Sequence, residues 1–187
     1  EEARLALANV LCRQDKADES IAQATLVFDA RSKRLGPDDD LTLTAQNDLG
    51  NTLKYLERFD EADAKYSDCL ARRKRVFGAD HAETLTVQFN QALLRIRQAA
   101  AIRGTDPAKA DLLLSDGLAL MRETAERRER TLGAGHAHTL FAQSELASLL
   151  HRSGKLDQAE PLYRSLQPRM DATLGAGSWR SLQNKAN

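Results

Sequence analysis

The chain has 187 residues, with 27 basic and 27 acidic side chains, four prolines, ten glycines and an aromatic fraction of 5%. Zero net charge excludes a partner held by a long-range positive field, such as nucleic acid, and the remainder, rich in Ala, Leu and Arg, reads as nearly all helix. The length suffices for a buried core without disulfides or metals, Cys12 and Cys69 stand in no C-x-x-C relation, and no 18-residue apolar run supplies a membrane span.

The acidic start at Glu1 and Glu2 has neither a secretory nor a basic targeting pattern. With two unpaired cysteines, it suits a cytoplasmic protein. Helical patterning is already under way at the first residues, as in a fragment of a longer protein. Leu7, Ala8 and Leu11 form a first apolar stripe, and Ser20, Ala24 and Val27 a second. A basic stretch, Arg31, Lys33 and Arg34, then runs into Gly36. Glycine suits a left-handed helix C-cap, and cations favour the negative helix end. Asp38, Asp39 and Asp40 follow, placed for the positive end of the next helix dipole rather than for calcium, whose ligands must be spaced to wrap the ion.

The same order then recurs. A helix is predicted over about 41–55, with Leu49 and Leu53 on one face and Gly50 allowing close approach to a neighbour. A second is predicted over about 60–76, with Ala62, Tyr66 and Cys69 turned inward. Arg72, Arg73, Lys74 and Arg75 precede Gly78. In the next unit, Gln91, Ala92 and Arg95 occupy the stripe positions, while Phe89, Leu93 and Ile96 offer another apolar face. Gly104-Thr105-Asp106-Pro107 marks a break and restart, with Thr105 or Asp106 as cap and Pro107 in the first turn. Leu146, Ala147 and Leu150, then Ala159, Tyr163 and Leu166, form the last pair of stripes. Pro168 is expected to bend or end that helix early.

The shared template is apolar-Gly-x-x-x-x-x-[Thr/Ser]-Leu, with glycines at 36, 78, 133 and 175, spaced by 42, 55 and 42 residues. Thr42, Thr84, Thr139 and Ser181 sit near helix starts as candidate caps. The units are about 1–36, 37–78, 79–133 (enlarged by 13 residues) and 134–175, with a partial link at 176–187, together forming a single domain. Such helix pairs cannot bury their apolar faces alone, so they stack into an all-α solenoid with a concave and a convex side. Trp179 is placed to cover an exposed end of the stack.

These anchors resemble the tetratricopeptide repeat (TPR) family, in the 42-residue variety of kinesin light chains. Leu49, Gly50, Leu53, Ala62, Tyr66 and Cys69 carry the pattern in one unit, and Leu146, Ala147, Leu150, Ala159, Tyr163 and Leu166 in another. His81 and His136 match the histidine of the family's link, while Ala82 and Ala137 replace its proline. The resemblance implies a right-handed superhelical solenoid of antiparallel helix pairs, whose first helices line a peptide-binding groove. Its groove positions fall on Asn9, Arg13, Thr44, Asn47, Asp48, Asn51, Lys54, Tyr55, Asn90, Arg97, Glu145, Ser148, His151 and Arg152. Amides on such a face pair with the free donors and acceptors of an extended peptide.

No G-x-x-x-x-G-K-[ST], G-x-S-x-G or H-E-x-x-H motif is present, and His136 and His138 lack a third ligand placed nearby in sequence. A non-catalytic protein or peptide interaction module is therefore expected, without cofactor, metal, nucleic acid or membrane. The alternative is a self-associating structural or regulatory segment of a larger signalling or transcription-control protein. It would form a homodimer through Leu112, Leu113, Leu114 and Leu118, more leucines than one narrow inward face requires.

Overall fold

The computed structural model describes residues 2–14 and 16–175, apart from the side chains of Glu2, Leu5, Asn9, Cys12, Arg13 and Leu174. The partial link at 176–187, with Trp179 and Ser181, lies outside the described residues. Among the described residues are eight helices and no strand: α1 (Glu2–Arg13), α2 (Ala17–Leu35), α3 (Asp40–Tyr55), α4 (Phe59–Phe77), α5 (Ala82–Ile102), α6 (Pro107–Leu132), α7 (Ala137–Arg152) and α8 (Leu156–Leu174). The chain divides into two compact units, Glu1–Gln98 and Ala99–Asn187.

In the first unit α1 packs on α2, α2 on α3 and α3 on α4; in the second α6 packs on α7 and α7 on α8. Leu43, Leu49, Leu53, Ala62, Tyr66 and Cys69 form the centre of the first core, with Phe28, Phe59 and Phe77 packed against it. Each buried leucine contributes about 1.5–3 kcal/mol. Leu140, Leu146, Leu150, Ala159, Leu166 and Met170 are buried in the second unit. Leu7 departs from the expected inward stripe and is exposed. Its counterpart Gln91 faces the second helix of the preceding pair, and no such helix precedes α1 among the described residues.

The enlarged pair gains length along existing helices. α5 has 21 residues against 16 in α3 and α7, and α6 has 26 against 19 in α4 and α8. Pro107 opens α6, and Asp106 caps it by accepting from the Lys109 amide at 3.0 Å. In α5 the 42-residue register continues through Gln91 and Ala92, both buried. Phe89 is buried as well, whereas Leu93 and Ile96 are only half-buried and do not form the principal face. The polar stripe is stable because α4 supplies partners: Gln91 donates to Ser67 at 3.0 Å and to Asp63 at 3.3 Å, and Arg95 pairs with Asp63 at 3.3 Å.

The helix ends correct two expectations. Gly36, Gly78 and Gly133 have φ of 91–92° and ψ of 157–162°. This is an extended positive-φ conformation essentially confined to glycine, not a left-handed helical cap. Thr42, Thr84 and Thr139 are fully buried rather than capping. The caps lie three residues earlier: Asp39 accepts from the Leu41 amide at 2.9 Å, His81 from Glu83 at 3.3 Å and His136 from His138 at 3.2 Å.

The basic stretches also do more than face the helix dipole. Arg73, 1% exposed, donates to Asp40 Oδ1 at 2.7 Å and to Thr44 Oγ1 at 2.9 Å. Arg31 and Arg128, at the same place in α2 and α6, donate to the carbonyls of Leu41 and His138 in the following first helix. Asp38 receives Arg72 and Arg75. The three consecutive aspartates thus have three separate roles: Asp38 as ion pair, Asp39 as cap and Asp40 as anchor for Arg73.

α8 continues through both prolines to Leu174, so Pro168 does not end it. Pro168 is exposed, which puts the missing amide on the solvent side of the helix. Ala159, Tyr163, Leu166 and Met170 hold the opposite stripe in the core.

Candidate functional site

The face made by α1, α3 and α5 in the first unit carries most of the expected groove residues. α1 lies against α3. α5 is tied to α3 where Asn90 donates to Asn47 Oδ1 at 2.9 Å and Arg97 donates to the Lys54 carbonyl at 3.4 Å. Asn47 is buried, Asp48, Asn51 and Asn90 are half-buried, and Tyr55 and Arg97 are exposed. Thr44 donates to the Asp40 carbonyl at 2.8 Å and accepts from Arg73, so its hydroxyl serves the α3–α4 junction. The side chains of Asn9 and Arg13 lie outside the described residues.

At the centre of this face is a buried ammonium. Lys54 is 6% exposed and donates to Asn51 Oδ1 at 3.0 Å. The same oxygen accepts the Tyr66 hydroxyl at 2.8 Å. Lys54 Nζ lies 5.7 Å from the Tyr66 ring centre and 5.9 Å from that of Tyr55, and the Arg97 guanidinium lies 5.2 Å from Tyr55. Ring quadrupoles stabilise both cations, but neither has a carboxylate partner among the described residues. Burial, reinforced by Arg97, lowers the Lys54 pKa to about 8. Burial also raises the pKa of the nearby Asp48, against the opposing effects of Arg31 and a hydrogen bond from Asn47.

The second unit repeats the motif in different chemistry. His151, Ser148 and Tyr163 stand where the first unit has Lys54, Asn51 and Tyr66. The His151 and Tyr163 rings meet edge to face with centroids 6.2 Å apart, and burial raises the Tyr163 pKa, with Ser148 and Glu145 close by. Glu145, Ser148 and His151 are half-buried along α7, and Arg152 is exposed. Of the four α6 leucines expected to support self-association, Leu118 is buried, Leu113 and Leu114 are half-buried and Leu112 is 68% exposed. They do not form one free face.

Sequence reasoning placed Tyr66 in the core stripe and missed that its hydroxyl reaches the groove. The signal available was the recurrence of tyrosine at Tyr163. His136 and His138 stack with ring centroids 5.4 Å apart, while His136 Nδ1 is engaged as a helix cap. Among the described residues no cluster of His, Cys, Asp or Glu is arranged to hold a metal, and no helix is long and apolar enough to cross a membrane.

The tetratricopeptide repeat model matches residues 1–74 and 43–101, together more than half of the chain. No curated protein matches the sequence. Solved structures are similar in fold. BtubC (BKLC) from P. vanneervenii shares 18% identity at a TM-score of 0.69, the alignment covering 92% of this chain and 63% of that one. The nearly identical TPR-like repeats of a kinesin light chain-type protein from Podosopora anserina share 17% identity at a TM-score of 0.50, covering 92% and 95%. A substituted variant of those same repeats gives 17% and 0.51 with the same coverage. With its glycine-terminated helix pairs and the match across more than half its length, this chain belongs to the tetratricopeptide repeat family.

Proposed function

We propose that the chain is a non-catalytic module that binds an extended protein segment along the concave face of its first helices. The observation that carries this reading is Lys54, a buried ammonium beside Arg97 with no carboxylate partner among the described residues. A charge buried without a counter-ion opposes folding, and such costs concentrate at functional sites. A ligand carboxylate would supply the missing negative charge, while the Asn51 and Asn90 amides hydrogen-bond the ligand backbone. The four helix pairs act as one repeat domain in this reading, and a cytoplasmic setting suits the buried thiol of Cys69.

Pull-down from cell extract with the intact chain and with an Asn51→Ala, Arg97→Glu variant tests the reading. Partners retained by the parent and lost by a folded variant support it; identical partner sets contradict it. Self-association through α6 has weaker support, because Leu118 belongs to the core. Sedimentation showing a dimer that Leu112→Lys dissociates would favour it.

A further inference from the structure

The second helices of the second unit enclose a groove on a different surface. Ala125, Glu126 and Glu129 of α6 face Asp157, Pro161 and Leu162 of α8 across a cavity of about 490 Å³, within the roughly 300–1,000 Å³ usual for ligand sites. Leu146 of α7 also lines it. The register explains the space. Eight residues before their terminating glycines, α2 has Phe28, α4 has Leu70 and α6 has Ala125. In the first unit Phe28 packs against the core, and Lys65 of α4 lies 5.1 Å from its ring centre. Alanine leaves the corresponding space in the second unit unfilled. Leu156, at the position of the half-buried Phe59, is 56% exposed.

The rim is acidic. Glu126 and Asp157 are exposed and have no cationic partner among the described residues. Glu129 accepts from Gln143 at 3.0 Å and pairs with Arg169 at 3.2 Å. Arg122, the one cation lining the groove among the described residues, donates to Gln158 at 3.1 Å. An apolar hollow bordered by unpaired carboxylates is complementary to an apolar side chain flanked by cations.

We propose that this groove binds a basic segment of a partner protein, with one large apolar side chain entering beside Ala125 and flanking Lys or Arg pairing with Glu126 and Asp157. The site is independent of the face formed by α1, α3 and α5. Its cavity and its charge pattern come from α6, α7 and α8, none of which carries Lys54 or Arg97.

Fluorescence anisotropy of the whole chain with a labelled decapeptide tests this. The probe has a central leucine flanked on each side by two lysines; one control replaces the lysines with glutamates and the other replaces the leucine with serine. The lysine peptide is expected to saturate and both controls to bind at least about tenfold more weakly, a change of about 1.4 kcal/mol. Ala125→Phe, which restores the ring found in α2, and the surface pair Glu126→Lys, Asp157→Lys are each expected to weaken the lysine peptide by a similar factor. Lys54→Met should leave its binding unchanged. Equal binding of lysine and glutamate peptides, wild-type binding by the charge-reversed pair, or loss of binding in Lys54→Met overturns the proposal. So does a self-associated chain in sedimentation that Ala125→Phe converts to monomer, which would assign the groove to a second copy.

Discussion

Tyr66 donates its hydroxyl hydrogen to Asn51 Oδ1 at 2.8 Å, so a side chain of the core stripe orients a side chain of the candidate face. The contact needs Gly50: a Cβ there would lie 2.7 Å from Tyr66 Cε1. Tyr66→Phe should keep the fold and lose about 1 kcal/mol. Gly50→Ala, which must displace the buried ring, should lose about 1–3 kcal/mol despite alanine's better helix propensity. Urea unfolding of both variants checks the order; a Gly50→Ala variant as stable as the parent would contradict the packing.

Lys54 makes stability depend on pH. Its pKa falls from 10.5 to about 8 on folding, so between those values the unfolded chain binds more protons and this residue's contribution to stability rises with pH. Below about pH 8 the opposing effect is full, on the order of 3 kcal/mol. Lys54→Met should therefore be more stable than the parent at pH 7 and lose that advantage as pH rises above 8. Cys69, raised by burial to about 11, contributes the opposite trend in both proteins and cancels from the difference. Thermal unfolding of the pair from pH 7 to 9.5 provides the comparison; a pH-independent difference would contradict the assignment.

Arg73 joins the end of α4 to the start of α3 through Asp40 and Thr44. Arg73→Met retains much of the apolar stem and removes the donors. A loss of about 2–4 kcal/mol is expected, below the full cost of breaking a buried pair because Asp40 remains half exposed. Denaturant unfolding measures it, and a loss under about 0.5 kcal/mol, typical of a surface change, would contradict the role.

Thr84 is fully buried and its hydroxyl has no hydrogen-bond partner. Thr84→Val keeps the branched shape and removes the unpaired polar atom, so stability should hold or rise by about 1 kcal/mol. A calorimetric melt that falls instead would show that the hydroxyl is satisfied in solution, for instance by water.

The helix pairs were legible in the sequence because glycine spacing and stripe residues such as Leu49, Ala62 and Leu146 repeat locally. The path of α5 was not. Gln91 and Arg95 break the apolar pattern, and what keeps them on the inward face is Asp63 and Ser67, more than twenty residues earlier on another helix. The cap assignment erred for a similar reason: Thr42 and Thr84 have capping chemistry, but burial uses their shape, while Asp39 and His81 hold the helix starts. Proline identity alone also misplaced the end of α8, since Pro168 lies on its exposed side. On the candidate face, the family resemblance placed Asn51 and Lys54, but their shared link to Tyr66 depends on packing.

In the proposed function a peptide lies across the first helices with an acidic group at Lys54 and Arg97. Peptides selected from a random dodecamer display library on the intact chain can be titrated calorimetrically against the parent, Arg97→Glu and Asn51→Ala. Peptides rich in Asp or Glu should be among those selected, and their affinity should fall about tenfold or more in Arg97→Glu. A selection that yields no acidic peptides, or acidic peptides that keep wild-type affinity in both variants, would contradict it.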